Sequence, residues 1–222
     1  MQEIEAKFYV KDLKRIKTQL EGLGAELIQA RVLETNIRFD LPDRGLSSES
    51  RVLRLRQDTE ARLTYKSAGT KEQGVSNRTE IEFVVEDFER AKNFLEALGY
   101  RKLLQYDKYR TTYILDSTSL LVNPQQQAVG LQSCHIMLDE LPYGNFVEIE
   151  GETIDAIHTI AHTLKLNLNR SITASYSNLF EKARQALGFT FTDLTFANFE
   201  DIRVLPEQLT VRPADQADSQ NA

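Results

Sequence analysis

The tripeptide Glu-Ile-Glu occurs at 3–5, 80–82 and 148–150, each time inside a run of strand-forming residues. Side chains alternate faces along a strand. In the opening stretch Ile4, Ala6, Phe8 and Val10 therefore share one side, and Glu3, Glu5 and Lys7 share the other. The same alternation runs through Arg51-Val52-Leu53-Arg54-Leu55-Arg56, through Arg62 to Lys66, and through a strand at 103–115 that carries Lys108 and Arg110 on one face with Thr112. Any fold for this chain must bury one face of each strand and give the charged face somewhere to go.

Taken in order, the chain predicts a strand at 3–10 and a helix capped by Asp12 that runs to about Leu23, where Gly24 stops it. A strand over 25–40 ends in Asn36-Ile37-Arg38-Phe39-Asp40, and turn chemistry follows at 41–45. The two basic-apolar strands read as a hairpin. Residues 67–77 read as a polar, glycine-containing loop. Arg78 to Val85 is the second carboxylate strand, followed by a helix from Asp87 to about Leu98 and a stop at Gly99. Strand, capping aspartate, amphipathic helix and Leu-Gly stop thus occur at 3–24 and again at 80–99. The third carboxylate strand also runs into a helix, with Ile154, Ile157, Ala161 and Leu164 on one face. Each helix is expected to cover the apolar face of its own strand. Residues 117–133 read as a long hairpin insertion, and strands at 134–140 and 145–151 complete the set.

The charged faces gather two groups. The acids are Glu3, Glu5, Glu80, Glu82, Glu148, Glu150 and Asp139, and the bases are Lys7, Arg38, Arg54, Arg56, Lys66, Arg78, Lys108 and Arg110. An open sheet points them at water. A closed barrel of about eight strands points them into its own interior, a space that holds one small ligand. Burying an unpaired charge costs several kcal/mol, roughly, so a charged interior persists only if wet, cross-paired or ligand-filled. Arginine forks match phosphate oxygens, and carboxylates with phosphate oxygens bind hard divalent cations. A metal-bound polyphosphate meets both demands.

Composition narrows the classes. At 222 residues with 41% hydrophobic and 27% charged residues the chain supports a real core. A net charge of -6 argues against a general nucleic-acid binder. Cys134 is the sole cysteine, and no Cys/His spacing matches a zinc site. His158 and His162 lack the glutamate of a zinc-peptidase helix, and Gly69 to Gly74 has phosphate-loop spacing without the following Lys-Ser/Thr. No run has membrane-spanning length, and the charged first seven residues lack a signal core, so a cytoplasmic protein without a membrane partner is expected. The sequence does not set an oligomeric state, and a homodimer is one option.

Glu3-x-Glu5-x-Lys7, Arg54-x-Arg56, Lys66, Glu80-x-Glu82, Lys108-x-Arg110 and Glu148-x-Glu150, in that order, resemble the CYTH superfamily of triphosphate tunnel metalloenzymes. Ser175-Tyr176-Ser177-Asn178-Leu179 resembles that family's late Ser-Tyr motif. The departures are the 117–133 insertion and Ala174, where some members carry a basic residue. The resemblance implies an α+β fold, a closed eight-stranded antiparallel barrel with helices outside, over residues 1–187. A C-terminal extension at 188–211 would pack on or near the barrel, and 212–222 would be a disordered tail. It further implies Mg²⁺ or Mn²⁺ on Glu3, Glu5, Glu148 and Glu150 with help from Asp139. The phosphates would lie on Lys7, Arg38, Arg54, Arg56, Lys66, Arg78, Lys108 and Arg110, with Glu80 and Glu82 as further tunnel acids and Lys7, Glu148 and Glu150 as the catalytic groups. The implied activity is hydrolysis of inorganic tripolyphosphate or an organic triphosphate such as thiamine triphosphate or a nucleotide. Adenylyl cyclase chemistry on ATP uses the same contacts, and a non-catalytic polyphosphate-binding module is the third reading. The four metal-site glutamates argue for an enzyme.

Overall fold

The first strand closes the sheet on itself. In the computed structural model, which describes residues 2–116 and 133–216, β1 (Gln2–Val10) pairs antiparallel on one edge with β9 (Gly144–Glu150), setting Glu5 opposite Glu150 and Lys7 opposite Glu148. On its other edge it pairs with β6 (Val75–Val85), setting Glu3 opposite Arg78. Between these lie β2 (Glu26–Asp40), β3 (Val52–Gln57), β4 (Ala61–Lys66), β7 (Arg101–Asp116) and β8 (Ser133–Leu141). The ring runs β1-β9-β8-β7-β2-β3-β4-β6 and back to β1, eight strands all antiparallel. Closure removes the free edges that an open sheet must protect.

Segment 67–77, expected as a loop, instead contains β5 (Thr70–Glu72), which pairs with β6 outside the ring. The two strands are joined by Gln73 and Gly74 at φ 48° and 80°. Two consecutive positive φ values make the tight turn that matches strand twist, and glycine takes one at no steric cost. Most of the expected hairpin insertion, 117–132, lies outside the described residues.

Helices α1 (Leu13–Gly22), α3 (Phe88–Ala97), α4 (Ile154–Thr163) and α5 (Tyr176–Leu187) are each opened by a side chain, that of Asp12, Asp87, Thr153 or Ser175, accepting a bond from the third amide onward. A single turn, α2 (Gly45–Ser48), separates β2 from β3. The outward faces of β1, β8 and β9 pack with α1 and α4, burying Phe8, Val10, Ile136, Val147 and Ile149 against Ile16, Leu20, Ile157 and Ile160. Helix α3 departs from expectation. It covers β3 and β4 rather than its own strand, and Ile81 and Phe83 of β6 stay 55% and 54% exposed. Its Leu95 joins Ile37, Phe39, Leu53 and Leu55, a broader apolar floor than β6 offers.

A third core joins α5 and residues 188–211 to Tyr9, Leu104, Tyr106 and Phe146, which share strand parity with the charged residues. Phe180, Phe189, Phe191 and Phe199 stack and cross within it. Aromatic packing therefore fills one end of the ring. No helix among the described residues is long and apolar enough to cross a membrane.

The expected disordered tail is revised for its first residues. Ala214 is 1% exposed; its amide donates to the Tyr9 carbonyl and its carbonyl accepts from Asn167. The Asp215 carboxylate accepts from the Lys11 and Asp12 amides. Polar composition concealed this because the ties run through backbone groups. Residues 217–222 lie outside the described residues. Deleting 212–222 should cost about 4 kcal/mol at roughly 1 kcal/mol for each of these four bonds, or about 8–16 °C in melting temperature. An unchanged melting curve would show that these contacts contribute nothing.

Candidate functional site

The ring encloses a cavity of about 590 Å³. Glu3, Glu5 and Lys7 enter it from β1, Arg38 from β2, Arg54 and Arg56 from β3, and Lys66 from β4. Arg78, Glu80 and Glu82 enter from β6, Lys108 and Arg110 from β7, and Glu148 and Glu150 from β9. Ser175, Tyr176 and Ser177, at the start of α5, complete one wall. The structure thus brings together every charged residue singled out by alternation except Asp139.

Asp139 shares the inward parity but does not line the cavity. Its carboxylate is fully buried, accepting from Lys108 at 2.9 Å, from Arg110 at 2.6 Å and from the Tyr176 hydroxyl at 2.8 Å. Its oxygens face these groups behind the cavity wall rather than the space in which the expected metal would sit. Alternation fixes a side chain's face, not its depth along the barrel. Behind the same cations lies Glu34, which the sequence reading missed. It is 1% exposed and stands 3.4 Å from Lys108, 3.8 Å from Arg110 and 3.9 Å from Arg56. Burial pushes its carboxyl up, but Lys108, Arg110 and Arg56 outweigh that and hold it at about 2. Counting back in twos from Arg38 would have found it. The same count from Lys108 finds Tyr106, whose hydroxyl lies 3.5 Å from Arg54.

The remaining charges cross-pair. Lys66 bridges Glu3 and Glu80, and Arg78 reaches Glu3 at 2.9 Å and Glu5 at 3.3 Å. Arg56 and Arg54 share Glu82 at 3.0 and 3.5 Å. Lys7 pairs with Glu148 at 3.1 Å and lies 4.2 Å over the Tyr176 ring; Glu148 also meets Arg110. Burial acts against the Glu148 anion, yet Lys7 and Arg110 hold it well below the usual carboxylate range. For Glu3 too burial acts upward, and Lys66 and Arg78 hold it at about 2. The lining carries eight cations and six carboxylates. With Glu34 and Asp139 behind them the balance is even, so a polyanion enters only together with compensating positive charge.

Two features are left unsatisfied. The Nε donors of Arg38 and Arg54 are buried without an acceptor, that of Arg56 is met only by Asp58 at 3.4 Å, and Arg38 pairs with no carboxylate among the described residues. Orphaned charged donors of this kind are uncommon and call for an explanation. Glu150 is the second. Burial, then Glu3 and Glu5, push its carboxyl up to about 7, and it faces Glu5 directly across the β1–β9 ladder. Like charges directly opposite destabilise a strand pair. Carboxylate oxygens such as those of Glu150 and Glu5 are the kind of donor a hard divalent cation takes. No three metal-binding side chains among the described residues form a ready-made site. That suits an ion held by one or two carboxylates with the ligand's oxygens completing its shell. His158 instead sits 3.2 Å from the Gln73 carbonyl, and Cys134 is buried with its thiol pushed up to about 11.

Glu150 yields a pH prediction. A carboxyl whose pKa is higher folded than unfolded opposes folding as it ionises, so its penalty develops as pH rises from 4.5 to about 7. In chelator, Glu150→Gln should gain on the parent across that window and level off above it, by at most about 3 kcal/mol at 1.36 kcal/mol per unit. Denaturant melts at several pH values measure this; a pH-independent difference would remove Glu150 from the crowded acid group.

A family model described as the CYTH domain matches residues 1–177. A protein of Methanocaldococcus jannaschii named "putative adenylate cyclase" is 32% identical over 115 residues, which is 51% of this chain and 64% of that relative. A solved protein of Pyrococcus horikoshii OT3 superposes with TM-score 0.60 at 24% identity, over 78% of this chain and 96% of its own. A Hippeastrum protein, described as a putative adenylyl cyclase with a dominant triphosphatase activity, superposes with TM-score 0.56 at 16% identity, over 95% and 100% of the two chains. These likenesses at low identity concern the fold.

Proposed function

The chain belongs to the CYTH domain family, and from that premise we propose that it hydrolyses a triphosphate, inorganic tripolyphosphate or an organic one, with a divalent cation. The observation that carries the reading is the pair of buried, unmet Nε donors of Arg38 and Arg54 inside a closed lumen. Phosphate oxygens are their natural acceptors, and a guanidinium fork grips them bidentately.

Phosphoryl transfer depends mainly on positioning and on stabilising charge as it spreads over the phosphoryl oxygens. In this reading Arg54, Arg56 and Arg38 grip one part of the substrate and Lys7, Lys66, Arg78 and Arg110 the rest, with Lys108 fixed beneath by Asp139 and Glu34. Glu82, Thr64 and Tyr106 keep Arg54 and Arg56 in place before the substrate arrives. Glu5 and Glu150, with Glu3 and Glu148 beside them, would hold Mg²⁺ or Mn²⁺. When bound, such an ion polarises the phosphoryl group and lowers the pKa of water. Water adds to a terminal phosphorus, the bridging P–O bond breaks, and diphosphate and phosphate leave. Cyclisation of ATP is the second reading, favoured by the name of the Methanocaldococcus relative; there the ribose 3′-hydroxyl attacks the α-phosphorus, the α–β bridging P–O bond breaks and pyrophosphate leaves.

Incubating the protein with tripolyphosphate, ATP and thiamine triphosphate under Mg²⁺ or Mn²⁺ and separating the products tests the proposal. Phosphate release from one of them is expected. Cyclic AMP with pyrophosphate from ATP would move the assignment to a cyclase, and binding without turnover would make the chain a polyphosphate-binding module.

A further inference from the structure

A second cavity, of about 750 Å³, adjoins the first, and Arg38, Arg78 and Ser177 belong to the walls of both. Beyond that threshold its walls carry Arg44, Arg51, Lys71 and Arg184. Glu181 is the one acidic side chain among the described wall residues, and it is engaged with Arg184 at 2.8 Å. Arg44 and Lys71, like Arg38, form no ion pair with a carboxylate among the described residues. Six cations against one acid, on a chain whose net charge is -6, is a local field of the sign opposite to the whole molecule.

The first cavity balances its cations with internal carboxylates; in the second Arg51 meets Glu49 at 3.0 Å, Arg78 meets Glu3 and Glu5 and Arg184 meets Glu181, which leaves Arg38, Arg44 and Lys71 unbalanced among the described residues. Its chemistry also argues against a nucleobase. Phe180, its one aromatic among the described wall residues, is 3% exposed and stacked in the core, so it offers no ring face to a ligand. Side-chain hydroxyls and cations make up most of the rest. A chain of phosphates suits such a surface, because each added unit brings further anionic oxygens.

We propose that the second cavity receives the continuation of a linear polyphosphate longer than triphosphate, which passes from the lumen between Arg38, Arg78 and Ser177. The inference rests on the triphosphate reading above and narrows its substrate class to longer inorganic polyphosphates. Arg38 takes the phosphate at the junction, and Arg44, Lys71 and Arg184 take those beyond it.

The test compares tripolyphosphate, ATP and a linear polyphosphate several units longer, titrated calorimetrically into the parent and into the combined Arg44→Gln, Lys71→Gln, Arg184→Gln variant with Mg²⁺ present. The parent should bind the longer chain more tightly than tripolyphosphate. The variant should lose about tenfold in affinity for the longer chain, the sum of three screened surface contacts. It should keep its tripolyphosphate affinity, which also shows that it folds. Equal affinity of the parent for both chain lengths, or equal weakening of both in the variant, overturns the inference and leaves the triphosphate reading intact. Selective weakening of ATP would assign the cavity to a nucleoside instead. If none of the three binds the parent, the triphosphate reading fails and this inference with it.

Discussion

Arg54→Ala and Arg56→Ala will each weaken tripolyphosphate binding by about 2–5 kcal/mol, the range for removing one member of a buried charge contact. The two guanidiniums are 12% and 13% exposed, on the same face of β3; Arg54 leaves its Nε without an acceptor and Arg56 turns its Nε to Asp58 at 3.4 Å. Empty, they share Glu82, and losing one leaves that carboxylate with the other. Arg54→Ala should therefore change the ligand-free fold by no more than about 1 kcal/mol, whereas Arg56→Ala also uncovers the buried acids Asp58 and Glu34 and should cost more. Calorimetric titration and denaturant melts separate the two effects. Affinity unchanged in both variants would return β3 to a solvated sheet face.

Asp139→Ala will act on the fold instead. The carboxylate is wholly buried and accepts from Lys108, Arg110 and Tyr176. Its removal leaves those groups partly unmet at the closed end of the ring. Breaking a buried ionic network by removing one partner typically costs about 3–5 kcal/mol, which for a chain of this size is roughly 6–20 °C in melting temperature. Asp139→Asn keeps an acceptor for Tyr176 and should cost less. A loss for Asp139→Ala under about 1 kcal/mol would mean that Glu34 and Glu148 compensate fully.

Much of the fold was legible because strand alternation is strict where one face is buried. Glu3-x-Glu5-x-Lys7, Arg54-x-Arg56 and Glu148-x-Glu150 all lie where parity put them. Ring closure was legible only as an option, since alternation is identical in an open sheet. What settles it is the β1–β6 pairing between segments far apart in sequence. Glu34 escaped notice because β2 inverts the usual rule. Leu33 beside it is 43% exposed while Glu34 is buried, and register shifts interrupt the alternation earlier in the strand. The lodging of α3 on β3 and β4 depends on which apolar floor is wider, a tertiary matter that its own periodicity does not carry. Asp139 was given the right face but not its place behind the wall, because depth along the barrel follows from strand stagger.

Equilibrium titration of the unmodified protein with tripolyphosphate, with and without Mg²⁺, bears on the whole proposal at once. The lumen's even charge balance predicts a single saturable site per chain whose affinity rises when the divalent cation is present. It also predicts that bound ligand raises the melting temperature by mass action. No saturable binding under either condition, or binding indifferent to Mg²⁺, would contradict a metal-assisted triphosphate site inside the ring.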